Sequence, residues 1–288
     1  MKFSSAIVLL LLGMACLCLS GVELPASAAP TEAQVQAELD QNLQTARWML
    51  DYDRVAWATT DLLLKESKVT LKSISPVWFC MKKDNVWYAV YGSYNSNAYD
   101  IALCYREASK DNFEKVSPPR FDDRDRFARA ISLTQPEIQE ITRRTTVRFN
   151  YYIRDEQHRI ALYYVPAFQP DGKLAYGIQH TYFLDSTGGK VVSHEQHGHV
   201  LIGAIPRKNR IVAMEMTECD IPTPQALFVM MCYRDHFADI LTHCQNGYFG
   251  VAVNKGVLTC VPRSAPPPDL LQLTPGMNET PVVAPTSR

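Results

Sequence analysis

Apolar residues recur along residues 31–65 at the spacing of an α-helix. Four of them follow one another at steps of four, four and three residues, which places them on one helical face. These residues are Val35, Leu39, Leu43 and Ala46. We therefore predict a helix that begins at a Thr31 cap, with residues 51–53 as a break before a second helical segment through residues 58–64.

Short segments rich in β-branched and aromatic residues follow this helix. Residues 77–81 and 86–91 predict a hairpin, and residues 98–105 predict a third strand. Residues 122–133 combine charged and apolar positions in the pattern of an amphipathic helix, and Pro136 is expected to begin another short helix.

The second half of the chain is rich in strands. A turn at residues 185–189, Asp-Ser-Thr-Gly-Gly, separates two of them. Residues 224–239 predict a helix. The predicted strands are residues 146–153, 159–165, 176–184, 190–202, 210–218, 249–253 and 256–260.

These elements predict an α+β fold with mixed, largely antiparallel sheets, an N-terminal helical segment and a C-terminal helix packed on the sheet. Four units are expected along the chain. They are a signal peptide at residues 1–28, a helix plus β-meander subdomain at 29–117, an α+β domain at 118–262, and a disordered Pro-rich tail at 263–288.

Composition then excludes several protein classes. The 288 residues are 47% hydrophobic and carry 29 Lys and Arg against 30 Asp and Glu, which excludes an intrinsically disordered chain. The formal net charge of −1 provides no global field that would attract nucleic acid. We therefore expect no nucleic-acid partner.

The N-terminus has the pattern of a secretory signal. Lys2 precedes an uncharged apolar run at residues 6–19, and the small residues 26–28, Ala-Ser-Ala, provide a cleavage site. An uncleaved anchor and a lipoprotein that uses Cys16 or Cys18 are the alternatives. No later segment reaches spanning length, so we predict a secreted or periplasmic protein without a transmembrane segment after signal removal.

Six cysteines remain after that cleavage, and an even number in an exported chain favours disulfides. They are Cys80, Cys104, Cys219, Cys232, Cys244 and Cys260. Cys80 and Cys104 stand alone in the N-terminal half, so we predict that they pair. The other four allow three connectivities, between which the sequence does not choose.

Histidines are concentrated at the second predicted hairpin. If the turn places Ser186 opposite Gly189, four side chains share one face and offer a Zn²⁺ or Cu²⁺ site. These are His180, Glu195, His197 and His199. In a register one residue away, His180 faces His194 and the cluster divides between two faces. Surface histidines without a metal, or a pH-sensing role, are the alternatives.

Other catalytic patterns are weaker. The chain has no Gly-x-Ser-x-Gly elbow, and its histidines lie on a predicted strand rather than in a helical His-Glu-x-x-His motif. Cys232 and His236 are four residues apart on a predicted helix, but a disulfide at Cys232 is favoured. The sequence therefore assigns no catalytic residue.

Residues 210–261 resemble the layout of JAMM/MPN-type zinc metallopeptidases. A strand leads to Thr217-Glu218-Cys219, and Pro222-Thr223-Pro224-Gln225-Ala226 opens a helix. Thr217 and Cys219 stand where the family has two His ligands, Thr223 matches its Ser, and Ala226 replaces its Asp. The resemblance implies an α/β sandwich with a degraded metal site, in which Cys219 is free to join a disulfide.

The sequence thus supports two functional hypotheses. The first is an exported, non-catalytic protein of the bacterial envelope that binds a protein or small-molecule partner and needs no cofactor. The second is a metal-binding protein or metal-dependent hydrolase that uses zinc at the histidine cluster.

Overall fold

The computed structural model describes residues 31–95, 97–156, 158–166, 174–198, 202–254 and 257–271. The helices in these ranges are α1 (Glu32–Leu63), α2 (Lys68–Lys72), α3 (Arg124–Thr145) and α4 (Pro224–Tyr233). The strands are β1 (Trp78–Lys83), β2 (Val86–Asn95), β3 (Ala98–Ser109), β4 (Asn112–Lys115), β5 (Phe149–Asp155), β6 (Arg159–Pro166), β7 (Leu174–Tyr176), β8 (Gln179–Asp185), β9 (Val191–His197), β10 (Ile202–Ala204), β11 (Ile211–Glu215), β12 (Asp239–Cys244), β13 (Gly247–Asn254) and β14 (Val257–Arg263).

The strands form three four-stranded sheets and one two-stranded sheet. The order is β1-β2-β3-β4 in the first, β5-β6-β8-β9 in the second and β11-β12-β13-β14 in the third, while β7 pairs with β10. Only β11 and β12 pair in parallel among these ladders; the remaining neighbours are antiparallel. The predicted α+β class, with its N-terminal helix and C-terminal helix, is confirmed.

One large hydrophobic core connects the helices to the sheets. Its buried members come from α1, α3, α4 and all three larger sheets. Helix α1 packs along α4 and also contacts β1, β2 and β5. Burying this apolar surface is the main favourable contribution to folding.

Helix α1 is longer than its sequence pattern suggested. Its predicted face is confirmed, because Leu39, Leu43 and Ala46 are buried, and Thr31 forms a capping box with Gln34. The expected break at residues 51–53 does not occur. Tyr52 is fully buried there, and its hydroxyl accepts a hydrogen bond of 3.0 Å from the Cys80 N–H.

Helix α3 also continues where the sequence predicted a new start. Pro136 lies inside the helix, although proline removes one backbone hydrogen bond. Buried residues on both sides hold the two halves in line, including Ile131, Thr134 and Ile138. The Thr134 hydroxyl lies 2.9 Å from that of Tyr164 on β6. Tertiary contacts therefore outweigh the proline.

One strand of the third sheet was not predicted. Helix α4 ends at Tyr233 and a short 3₁₀ turn follows it, so the predicted helix over residues 224–239 is too long. The missed strand is β12, which lies between β11 and β13. Its apolar signal is weak, because Ile240 and Leu241 are followed by Thr242 and His243.

All six cysteines in the described ranges are free thiols. The predicted Cys80–Cys104 bridge is not formed, because β2 lies between the two strands that carry them. Cys80 pairs with Ala89 and Cys104 with Val90, so their side chains leave opposite faces of the sheet. Two strand spacings, roughly 9–10 Å, also exceed the Cα separation of a disulfide. Cys219, Cys232, Cys244 and Cys260 are likewise free thiols in this structure; a disulfide among them in an oxidising compartment stays a prediction.

The predicted signal peptide and most of the predicted tail lie outside the described residues. Within the described ranges, no helix combines the length and apolar character needed to cross a membrane.

Candidate metal centre

The β8–β9 hairpin determines which histidines meet. Leu184 lies opposite Val191, as the predicted register requires, but a bulge at Val192 shifts the rest of the ladder by one residue. His180 consequently lies opposite Gln196, not Glu195. The expected four-residue cluster therefore does not assemble.

Alternation along β9 then divides the cluster between two faces. His180 shares its face with His194, while Glu195 and His197 lie on the other face. The fourth predicted ligand, His199, lies outside the described residues. Each face has its own group of potential ligands, with donor atoms within 4.8 Å of one another. The groups are Glu137, His180 and His194 on the first face and His197, Glu218 and Cys219 on the second.

The first group joins the buried His180 to two exposed residues, His194 and Glu137. His180 Nδ1 lies 3.0 Å from His194 Nε2, and His194 Nδ1 lies 3.8 Å from a Glu137 carboxylate oxygen. The rings of His194 and Tyr182 stack with 4.0 Å between centroids. Burial, with smaller contributions from His194 and His197, lowers the pKa of His180 to about 3. His180 is therefore a neutral core residue.

The second group lies at a polar pocket of about 410 Å³. Helix α1, strands β8 and β9 and the segment before α4 form its walls. His197 Nδ1 lies 3.2 Å from Cys219 Sγ, and His197 Nε2 lies 3.6 Å from a Glu195 carboxylate oxygen. One imidazole therefore connects a thiol and a carboxylate at the pocket wall.

The chain around these ligands is fixed by backbone contacts. The Cys219 carbonyl accepts a hydrogen bond of 2.9 Å from Gln245 N–H, which ties the segment to the end of β12. The Glu218 carboxylate accepts a hydrogen bond from Gly198 N–H. Gly198 has φ +74°, and a Cβ there would lie 2.1 Å from the Gly177 carbonyl oxygen. Glycine therefore permits the close approach of residue 198, at the end of β9, to the Gly177 backbone.

Two buried glutamines are incompletely paired, and one of them, Gln225, lines the pocket. Thr223, the N-cap of α4, donates to Gln179 Oε1 at 2.7 Å, and Gln225 Nε2 donates to Thr181 Oγ1 at 2.5 Å. Gln179 Nε2 and Gln225 Oε1 have no hydrogen-bond partner. Buried polar atoms are normally satisfied. Both unpaired atoms have almost no solvent-accessible surface, so they are enclosed by the protein and do not face a ligand in the pocket.

The far wall of the pocket carries a compact ion-pair network. Glu156 accepts hydrogen bonds from Arg154 at 2.6 Å and from Arg159 at 3.0 Å. The Tyr163 hydroxyl donates to the same carboxylate at 3.0 Å. One carboxylate offsets only one of the two arginine charges, so this wall keeps a positive charge, while Glu195, Glu218 and Asp220 make the metal-facing wall acidic.

Electrostatics distinguish two uses of the Cys219 thiol. Burial, followed by the carboxylates of Glu218, Asp220 and Glu195, raises its pKa to about 12. Cys219, His197 and Glu195 have the order of a thiol–imidazole–carboxylate triad, but catalytic cysteines need a lowered pKa and cationic neighbours. This acidic surrounding favours a bound cation, which would itself deprotonate the thiol.

Sequence reasoning identified Glu195 and His197 but not their partners. Cys219 was assigned to a disulfide, and Glu218 received no role. One signal pointed to Cys219, because the JAMM/MPN resemblance places it at the position of a His ligand and thiolate is itself a zinc ligand. The resemblance stays a prediction.

No family model matches the chain, and no curated protein or solved structure matches it either.

Proposed function

We propose that this protein binds one divalent transition metal ion, with Zn²⁺ as the best fit, through His197, Glu218 and Cys219. The observation that carries the proposal is the convergence of three donor atoms within 4.8 Å at the wall of a pocket. Nitrogen, sulfur and carboxylate oxygen are the donors that zinc takes in proteins.

The distances fit zinc with small side-chain movements. Bonds of roughly 2.0–2.3 Å place tetrahedral ligand atoms about 3.3–3.8 Å apart. Cys219 Sγ and His197 Nδ1 are already 3.2 Å apart. Glu195, on the other ring nitrogen of His197, supplies the outer carboxylate that commonly orients a metal-bound histidine.

The open pocket supports a hydrolytic role for this metal. Catalytic zinc sites have three protein ligands and leave one position for water or substrate. The pocket beside the three ligands offers space for a substrate, and its lining is mainly polar and charged. We therefore propose metal-assisted hydrolysis of a polar substrate as the reaction class.

Metal analysis of the purified full-length chain tests the binding step. We expect about one zinc per chain after dialysis, and Cys219→Ala to lower zinc affinity at least about 100-fold, because it removes a direct ligand. Cys260→Ala is the matched control, since Cys260 is also a half-buried free thiol. A wild-type chain that binds no zinc at millimolar concentration, or equal losses in both variants, would overturn the proposal.

Hydrolysis of ester, peptide and phosphodiester probes tests the catalytic step. Activity that requires zinc and is lost in Cys219→Ala supports a metal-dependent hydrolase. Zinc binding without activity on any of the three probes contradicts it and favours the non-catalytic binding role. Export to the envelope stays a prediction in either case.

A further inference from the structure

A second pocket of about 410 Å³ lies on the opposite part of α1, where the helix meets β1, β2 and β5. Six of its thirteen lining residues are aromatic, and it contains a single carboxylate. Six of its residues carry the inference: Asp53, Trp57, Trp78, Tyr91, Tyr151 and Tyr152. It is independent of the proposed metal centre and shares no lining residue with the first pocket.

Helical spacing builds one wall of this aromatic pocket. Asp53, Trp57 and Thr60 follow one another at steps of four and three residues and therefore share one face of α1. Trp57 is unusually exposed for so large an apolar residue, at 61% of its surface. It lies at the pocket with its indole accessible to solvent and to a ligand.

The sheets build the opposite wall from packed rings. Trp78 stacks on Tyr91 with 5.7 Å between centroids and an interplanar angle of 22°. Trp78 also packs against Tyr151 at 5.5 Å. These contacts fix the rings in place, so the wall is formed before any ligand arrives.

The carboxylate in this pocket has a hydrogen-bond donor but no cation. The Tyr152 hydroxyl donates to Asp53 Oδ1 at 2.8 Å, and Trp57 lies one helical turn away on the same face of α1. No Lys, Arg or His among the described residues contributes to the electrostatics of Asp53. The adjacent Arg54 is held elsewhere, by Glu107 at 2.7 Å and Asp111 at 2.9 Å.

The other titratable groups around Asp53 are neutral at pH 7. Burial is the main cause that raises the pKa values of Cys80 on β1, Tyr152 on β5, and Cys232 and Tyr233 on α4. Burial also raises the pKa of Asp53 to about 6. At neutral pH the pocket therefore contains one negative charge without a counter-charge.

We propose that this aromatic pocket binds an organic cation, a quaternary ammonium or protonated amine group. Aromatic faces attract such cations through their quadrupoles, most strongly when the cation is desolvated. Asp53 supplies the complementary charge. A metal ion does not fit this lining, because one carboxylate among rings lacks the several oxygen, nitrogen or sulfur ligands that metal sites use.

Two probes that differ only in charge test this proposal on the wild-type chain. Choline carries the quaternary ammonium, and 3,3-dimethylbutan-1-ol is its neutral carbon analogue of the same shape. Calorimetric titration at pH 7.5 is expected to show choline binding at least about tenfold tighter than the analogue, an energy difference typical of cation–π and charge complementarity. The proposal is overturned if both probes bind equally well, or if neither binds at concentrations up to about 10 mM.

Variants locate the binding to this pocket. We expect Asp53→Asn and Trp57→Ala each to weaken choline binding at least about tenfold. Asp61→Asn is the matched control, an exposed carboxylate on the same helix, and should bind choline as the wild type does. Circular dichroism checks that each variant is folded. Should Asp53→Asn fail to fold, Trp57→Ala provides the same test, because Trp57 is largely exposed. Unchanged binding in the folded variants contradicts the assignment.

Discussion

The two faces of the β8–β9 hairpin use the same residue type for different purposes. On one face, His180 is buried, hydrogen-bonded to His194 and neutral. On the other, His197 lies at a pocket between a thiol and a carboxylate. The sequence separation between His194 and His197 is three residues, yet alternation sends them to opposite sides. The surroundings of each histidine, and not the number of histidines in the segment, thus decide whether it is available to a metal.

The largest expected effect concerns the buried face and pH. Folded His180 takes up a proton only near pH 3, whereas its ordinary pKa is 6.5. Between these values the unfolded chain binds more protons, so the free energy of unfolding falls as pH falls below 6.5, by roughly 3–5 kcal/mol in total. Urea unfolding of the wild type and His180→Gln between pH 7.5 and 4 measures this contribution.

His180→Gln is expected to give a flatter pH dependence than the wild type, because glutamine does not titrate. His158→Gln is the control, since His158 is exposed. Parallel curves for wild type and His180→Gln would show that His180 is not kept neutral by burial.

In the aromatic pocket, Asp53 changes the free energy of unfolding with pH in the opposite direction to His180. Asp53 has its pKa raised from 3.8 to about 6, so between these values the folded chain binds more protons and the free energy of unfolding falls as pH rises. Above pH 6 the ionised carboxylate destabilises the fold. We expect Asp53→Asn to raise the free energy of unfolding at pH 7.5 by about 1–3 kcal/mol.

Chemical denaturation of Asp53→Asn beside Asp61→Asn measures this gain. The control, exposed on the same helix, should change stability by less than about 0.5 kcal/mol. A loss of stability in Asp53→Asn at pH 7.5 would mean that the ionised carboxylate is favourably solvated in its pocket.

The smallest expected effect is a change in zinc affinity that distinguishes the two faces of the β8–β9 hairpin. Glu195→Gln should lower zinc affinity about tenfold, because it weakens the outer contact to His197 without removing a ligand. Glu137→Gln, beside His194 on the other face, should change zinc affinity by less than about twofold. Competition against a zinc chelator measures the zinc affinity of both variants. Equal losses of affinity would contradict the assignment of the metal to the His197 face.

Much of the fold could be predicted from local sequence. The periodicity of Leu39, Leu43 and Ala46 indicated α1, and the residues 185–189 indicated the hairpin turn. What local sequence did not contain was tertiary support. Buried Tyr52 keeps α1 continuous, and contacts around Pro136 keep α3 continuous. Strand β12 is stabilised between two neighbours despite its short apolar run.

The site was less predictable, and a single residue shows why. The predicted register holds at Leu184 opposite Val191, and the bulge at Val192 then displaces each later pair. Because side chains alternate, the one extra residue in β9 placed His180 on the opposite face from Glu195 and His197. Cys219 and Glu218 come from a distant segment, so no spacing along β9 could have indicated them.

Anomalous diffraction at the zinc edge, from crystals of the full-length chain grown with Zn²⁺, tests the central claim most directly. We predict one peak at roughly 2.0–2.3 Å from His197 Nδ1 and Cys219 Sγ, on the pocket side of the hairpin. A peak between His180 and His194, or no peak in either group, would contradict the assignment of the metal centre to His197, Glu218 and Cys219.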